Sequence, residues 1–187
     1  MEELLKFLHS IHPLSDGLVQ YLAINLKTKN LSKKDFLLKA GHVSRDICFI
    51  GKGLLRCFYL IEEKEVCSWF MKEGDVIVSV ESFFQQKPSY ESIQALEDCT
   101  LYYITYDELH YSYRNFPEFN FVGRVLTEQY YTLSEQRLYA MRMQRANDRY
   151  ALLMQHHADL ILRVPSKFLA SYLGITEVTL SNIKGNL

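Results

Sequence analysis

The sequence predicts an α+β protein: an N-terminal antiparallel β-roll of the jelly-roll kind, one long helix after it, and a C-terminal helix-turn-helix. Three observations carry this. Eight short runs of strand-forming residues lie between Lys27 and Thr105, punctuated by Gly41, Gly51, Gly53 and Gly74. Beyond Pro117, the residues Val122, Leu126, Gln129, Leu133, Gln136 and Ala140 recur by fours and threes, as on one face of a helix. Two short helical patterns then meet at Gly174.

Taken in order, the chain opens with Leu4, Leu5, Leu8, Ile11, Leu14, Leu18, Leu22 and Leu26 at helical spacing, interrupted near Pro13. This predicts a short helix, a turn at His12-Pro13, and a second helix starting at Ser15 or Asp16. Strands are expected at 27–31, 35–38, 46–50, 54–60, 65–71, 76–78, 90–95 and 101–105, with Glu62-Glu63-Lys64 as a polar hairpin tip. A roll of this kind encloses an interior that side chains fill or that opens as a ligand pocket. A short helix is expected over 107–113.

The long helix from Pro117 has a seam of about three heptads, and its two glutamines suit a homodimer whose register they fix. The competing expectation is a helix packed on its own roll, with Tyr130 and Tyr131 as core or lid residues. Residues 141–147 carry Arg142 and Arg145 without a sustained apolar stripe, and are expected as a hinge. Over 148–157 a helix puts Tyr150, Leu153, Met154 and His157 on one side. The chain thus divides into a sensor domain at 1–116, a dimerisation helix at 117–140 and a nucleic-acid module at 141–187.

In that module Pro165 suits the first turn of a helix, where a missing N–H costs nothing. Leu169, Ala170 and Leu173 share a face, while Lys167 and Ser171 point away. Gly174 suits a left-handed C-terminal position, Thr176 suits an N-cap, and Glu177 favours the positive end of the second helix. Leu180, Ile183 and Leu187 repeat at three and four, so one face of that helix is buried. Ala170 permits close approach of the two helices. An ordinary αα-corner is the plainer alternative.

Charge supports the division. Between Arg137 and Leu187 there are seven basic and three acidic residues, against fourteen and nineteen before them, although the whole chain carries only −1. An acidic front and a basic back fit a sensor joined to a nucleic-acid module. Apolar content of 48% is ample for a packed core. Cys48, Cys57, Cys67 and Cys99 are widely spaced and lack metal-ligand patterns, so buried thiols in a reduced, cytoplasmic setting are expected. No signal-peptide pattern or 18-residue apolar run stands out, and little is expected beyond the second helix. No His-x-His, Ser-His-Asp, P-loop or paired-carboxylate arrangement supports an enzyme, a metal site or a cofactor.

The order helix, eight-stranded roll, long helix and helix-turn-helix resembles the Crp/Fnr family of bacterial transcription regulators, most closely its Bacteroidetes-type branch. The stretches that carry the resemblance are Arg149-Tyr150 with the following Ala-Leu-Leu, Val164-Pro165, Ala170 through Thr176, and Thr179-Leu180-Ser181. Gly74-Asp75 is similar to the pair that opens the family's phosphate-binding cassette. The resemblance implies a cyclic-nucleotide-binding-like roll. It also implies a homodimer on a palindromic operator in double-stranded DNA, recruiting or blocking RNA polymerase.

Two departures shape the expected chemistry. Cassettes that hold a cyclic nucleotide end in Arg followed by Ser or Thr. Here Ser92 fits, but Glu91 stands where the Arg belongs, and a carboxylate repels a phosphate. Cyclic AMP is therefore not the expected effector, and any small-molecule effector would meet Gly74, Asp75, Ser82, Glu91, Ser92 and Tyr130. The recognition helix departs as well. The family places Glu and Arg where Val178 and Asn182 stand. Val178 suits a thymine methyl and Asn182 suits adenine, which predicts an A·T-leaning half-site. Lys167, Glu177, Thr179, Ser181 and Lys184 complete the expected DNA contacts, with Thr179, Ser181 and Lys184 on phosphates. The alternative is a ligand-binding or protein-interaction module with a vestigial helix-turn-helix.

Overall fold

The computed structural model describes residues 2–186. Leu187, expected on the buried face of the last helix, lies outside them. The chain begins with α1 (Glu2–Ile11) and α2 (Asp16–Asn25). The break between them falls at Pro13, and the Ser15 side chain caps α2 by accepting from the Leu18 amide.

Eight strands follow: β1 (Lys27–Leu31), β2 (Phe36–Leu38), β3 (Asp46–Lys52), β4 (Leu55–Ile61), β5 (Lys64–Met71), β6 (Val76–Ile77), β7 (Glu91–Ala95) and β8 (Cys99–Thr105). They form two four-stranded sheets, ordered β1-β8-β3-β6 and β2-β7-β4-β5. Within the first, β8 pairs antiparallel with both β1 and β3. A short helix, α3 (Val80–Gln85), interrupts the strands. Sequence patterning leaves this segment unassigned, because Val80, Phe83 and Phe84 suit a strand as well as a helix. The β4–β5 turn has Glu62 and Glu63 both at positive φ, 48° and 67°. Two such residues form the two-residue hairpin turn whose twist matches its strands.

After the roll come α4 (Tyr106–Asn115) and α5 (Pro117–Met143). Thr105 and Glu108 form a reciprocal capping box at the start of α4. Within the segment 141–147, expected as a hinge, α5 continues to Met143 and α6 (Ala146–Arg163) begins three residues later, so the break between helices narrows to Gln144 and Arg145. Helix α6 also runs past the expected end at His157, but His157 itself has non-helical angles (φ −143°, ψ 47°) that kink it. The last two helices are α7 (Ser166–Leu173) and α8 (Glu177–Gly185). Pro165 sits at the N-cap of α7 rather than inside its first turn.

The described residues form two compact units: 2–57 with 70–128, and 58–69 with 129–186. The core of the first unit joins Leu4, Leu8, Leu18 and Leu22 of α1–α2 to Phe49, Phe83 and Ile104, and to Leu109, Phe119 and Val122 of the following helices. Val122 is therefore core, and Leu126 packs against it. The first part of the expected dimer seam thus behaves as a helix on its own roll. From Gln129 onward, α5 is different. Tyr131, Leu133, Leu138, Tyr139, Met141 and Met143 are all exposed, Met143 to 70%.

Candidate nucleic-acid interface and effector cassette

The turn between α7 and α8 is built by complete accounting of backbone groups. A helix leaves its last four carbonyls without partners. Here Ala170 C=O accepts from the Ile175 amide and Ser171 C=O from the Gly174 amide, each at 3.0 Å. That pair is a Schellman closure, and Gly174 supplies the left-handed residue it needs, with φ +65°. The two remaining carbonyls take guanidinium donors. Arg137 of α5 donates to Tyr172 C=O at 2.8 Å, and Arg149 of α6 donates to Leu173 C=O at 2.9 Å. Both cations also lie at the negative end of α7.

Arg149 donates a second bond, 2.6 Å, to Gln144 C=O in the break between α5 and α6. The Arg137 guanidinium stacks on the Tyr172 ring, 3.6 Å from its centroid. Burial pushes the Arg137 pKa down, and its Tyr172 contacts oppose that shift. Sequence reasoning includes Arg149 in the resemblance but misses Arg137, which has no distinguishing spacing within α5.

Helix α8 starts at Thr176, whose hydroxyl accepts from the Thr179 amide at 3.1 Å and bonds the Thr179 hydroxyl at 2.9 Å. Leu180 and Ile183 are buried, facing a module core that includes Leu169, Ala170 and Leu173. The opposite face carries Glu177, Val178, Ser181, Asn182 and Lys184, all exposed, with Val178 71% exposed. Thr179 is half-buried at the edge, and Lys167 is exposed on α7. The structure therefore brings together the six α8 residues named from the sequence along one surface.

The effector residues divide differently. Gly74, Asp75, Ser82, Glu91 and Ser92 belong to the first unit, and Tyr130 to the second. Gly74 and Asp75 form the turn into β6: Gly74 has φ +88°, and the Asp75 carboxylate accepts from the Lys72 amide at 2.8 Å. Around α3 the serines serve one another and the backbone. Ser79 and Ser89 hydroxyls bond at 2.9 Å. Ser82 Oγ accepts from the Ser44 amide at 2.9 Å and donates to Lys87 C=O at 2.5 Å. Ser92 Oγ accepts from the Ala40 amide at 3.0 Å. Lys87, the nearby cation, pairs with Glu81.

Burial pushes the Glu91 carboxyl above its ordinary range, and a bond from Ser79 only partly offsets this. The folded protein thus holds that proton to higher pH than the unfolded chain. Stability is fully present below the unfolded carboxyl pKa and falls as pH rises through the window up to the raised value. Glu91→Gln removes this loss. Its urea midpoint should exceed the wild type's above the window and converge with it below. A wild-type midpoint that climbs across the window, with no gain in the variant, contradicts the assignment.

Among the described residues no group of three or more His, Cys, Asp and Glu is placed to hold a metal ion. No described helix is long and apolar enough to cross a membrane. The four cysteines are buried, and burial pushes the Cys48 thiol up to about 12.

The roll and the helices that follow it have counterparts among known proteins. Residues 28–114 match the cyclic nucleotide-binding domain family. Over most of its length the chain has the fold of Crp/Fnr transcription regulators. FixK2 from Bradyrhizobium japonicum is similar over 87% of this chain and 84% of its own, with a TM-score of 0.77 and 14% identity. A CooA mutant from Carboxydothermus hydrogenoformans is similar over 92% and 85%, with a TM-score of 0.71 and 21% identity. A Crp/Fnr-family regulator described from Eubacterium rectale is similar over 91% and 82%, with a TM-score of 0.68 and 14% identity. No curated protein sequence matches the chain.

Proposed function

We propose that the chain is a homodimeric, sequence-specific DNA-binding transcription regulator of the Crp/Fnr type, and not an enzyme. The observation that carries this is the helix-turn-helix itself. All four terminal carbonyls of α7 are occupied, two of them by arginines from other helices, while the polar face of α8 is left open. The arginines tie the end of α7 to α5 and α6, while one face of α8 stays bare, as a reading helix requires.

The roll at 1–116 acts as sensor, the helix at 117–140 pairs two subunits through its part from Gln129 onward, and the module at 141–187 enters the major groove. Val178 and Asn182 read the bases, while Lys167, Thr179, Ser181 and Lys184 hold phosphates and Glu177 flanks the reading face. Dimer symmetry places the half-sites of a palindromic operator about 34 Å apart. Regulation proceeds through RNA polymerase in the cytoplasm.

The effector of the roll is not cyclic AMP. Glu91 lies in the cassette, its serines bond each other or the backbone, and its Lys87 is paired with Glu81. A small-molecule effector acts by binding two orientations of the DNA module unequally.

Binding to duplex DNA, followed by fluorescence anisotropy at two salt concentrations, tests the reading. Real phosphate contacts release counterions, so affinity should fall on the order of tenfold or more between about 50 and 200 mM salt. Binding that ignores salt supports a vestigial motif instead.

A further inference from the structure

Strand β5 ends the order β2-β7-β4-β5, and a strand in that position presents unpaired backbone groups along one edge. On this edge two of them are taken by a side chain from the helix-turn-helix. The Ser171 hydroxyl accepts from the Cys67 amide at 2.9 Å and donates to Glu65 C=O at 3.2 Å. One hydroxyl thus stands in for a residue of a neighbouring strand. The contact lies wholly inside the second unit. Its two sides are 104 and 106 residues apart in sequence, beyond the reach of any local pattern.

The next residue is held too, since the Tyr172 ring lies on the Arg137 guanidinium, which is also 6.0 Å from the Trp69 ring centre. Strands β4 and β5 run through both units: Leu55–Cys57 and Phe70–Met71 belong to the first, and their distal parts to the second. A clasp on β5 therefore ties the DNA module to a hairpin rooted in the roll by its own chain.

We propose that Ser171 is a conformational lock, closed in the DNA-binding form of the protein. With the clasp closed, Val178, Ser181 and Asn182 remain exposed, so closure does not cover the reading face. A module already held in place has less freedom to lose on binding, which favours the closed form as the competent one. This direction rests on the DNA-binding reading above, whereas the clasp itself does not.

Cys67 is a built-in reporter, because its amide is the clasp donor and the residue is 2% exposed. The experiment alkylates the full-length protein with iodoacetamide and follows Cys67 and Cys48 by peptide mass spectrometry. Cys48, on β3 of the first unit, reports global unfolding. Ser171→Ala should speed Cys67 labelling on the order of tenfold, with Cys48 unchanged. Ser171→Thr, which keeps the hydroxyl, should stay near the wild-type rate. Duplex DNA should slow Cys67 labelling in the wild type.

An unchanged Cys67 rate in Ser171→Ala, or a rise shared equally with Cys48, overturns the lock. Faster labelling on adding DNA overturns the assignment of the closed form as competent. Wild-type protein that binds no DNA defeats the functional reading and the competence assignment together, and the DNA-free labelling still decides the clasp.

Discussion

Gly53→Ala should cost the protein about 2–4 kcal/mol, a large share of the 5–15 kcal/mol that holds a typical domain together. Gly53 lies between β3 and β4 with φ +99°, a region that L side chains rarely adopt. An added Cβ there would sit 2.7 Å from Asp98 C=O and 2.9 Å from Cys99 Cα. Those are backbone atoms, so no side-chain rotation relieves the crowding. Gly74→Ala separates the two contributions. Its φ is +88°, but a Cβ there meets nothing within 4 Å. It should lose only the backbone part, about 1–2 kcal/mol. Urea unfolding of both variants measures the difference, and equal losses would show that crowding at Gly53 contributes nothing.

Leu133→Asp should convert the proposed dimer to monomer, weakening self-association a hundredfold or more, or about 3 kcal/mol. Leu133 is 44% exposed in the single chain and lies on the stretch of α5 where the apolar side chains lack a core to fill. Pairing two such helices buries that surface, and two-fold symmetry places the substituted carboxylates in the same interface twice. Operator affinity should fall with the dimer, because one module then meets one half-site. Sedimentation equilibrium of wild type and variant checks this. A wild-type monomer at micromolar concentration, or a variant that stays dimeric, goes against the seam.

The roll was legible because glycines and strand-forming runs alternate from Lys27 to Thr105, and all eight expected strands form, with edges shifted by a residue or two. The helix-turn-helix was legible for a similar reason: Gly174 and Thr176 carry their own turn and cap chemistry. What escaped the sequence depends on distance. Val122 and Leu126 share spacing with Leu133, yet the first two join the core of the first unit and Leu133 stays 44% exposed. Periodicity marks an apolar face without saying which partner covers it. The Gln144 carbonyl accepts from Arg149, a bond between a backbone group and a side chain five residues on that no apolar stripe announces. Ser171 seemed to point away from its helix's buried face, and it does so toward a strand more than one hundred residues earlier. The polar filling of the cassette was visible only as the misplaced Glu91; the Ser79–Ser89 bond and the bonds of Ser82, Ser89 and Ser92 to backbone groups required the fold.

Selection of duplexes from a random-sequence pool, run with the wild type and with Asn182→Ala, tests the central claim most directly. Wild-type protein should enrich a palindrome whose A·T-leaning half-sites lie about one helical turn apart. Asn182→Ala should keep salt-sensitive binding and lose the preference at one base pair per half-site, a discrimination of about 1–3 kcal/mol. No enriched sequence for the wild type, in buffer and after adding a metabolite extract, would contradict a sequence-specific regulator and favour a chain whose helix-turn-helix no longer reads DNA.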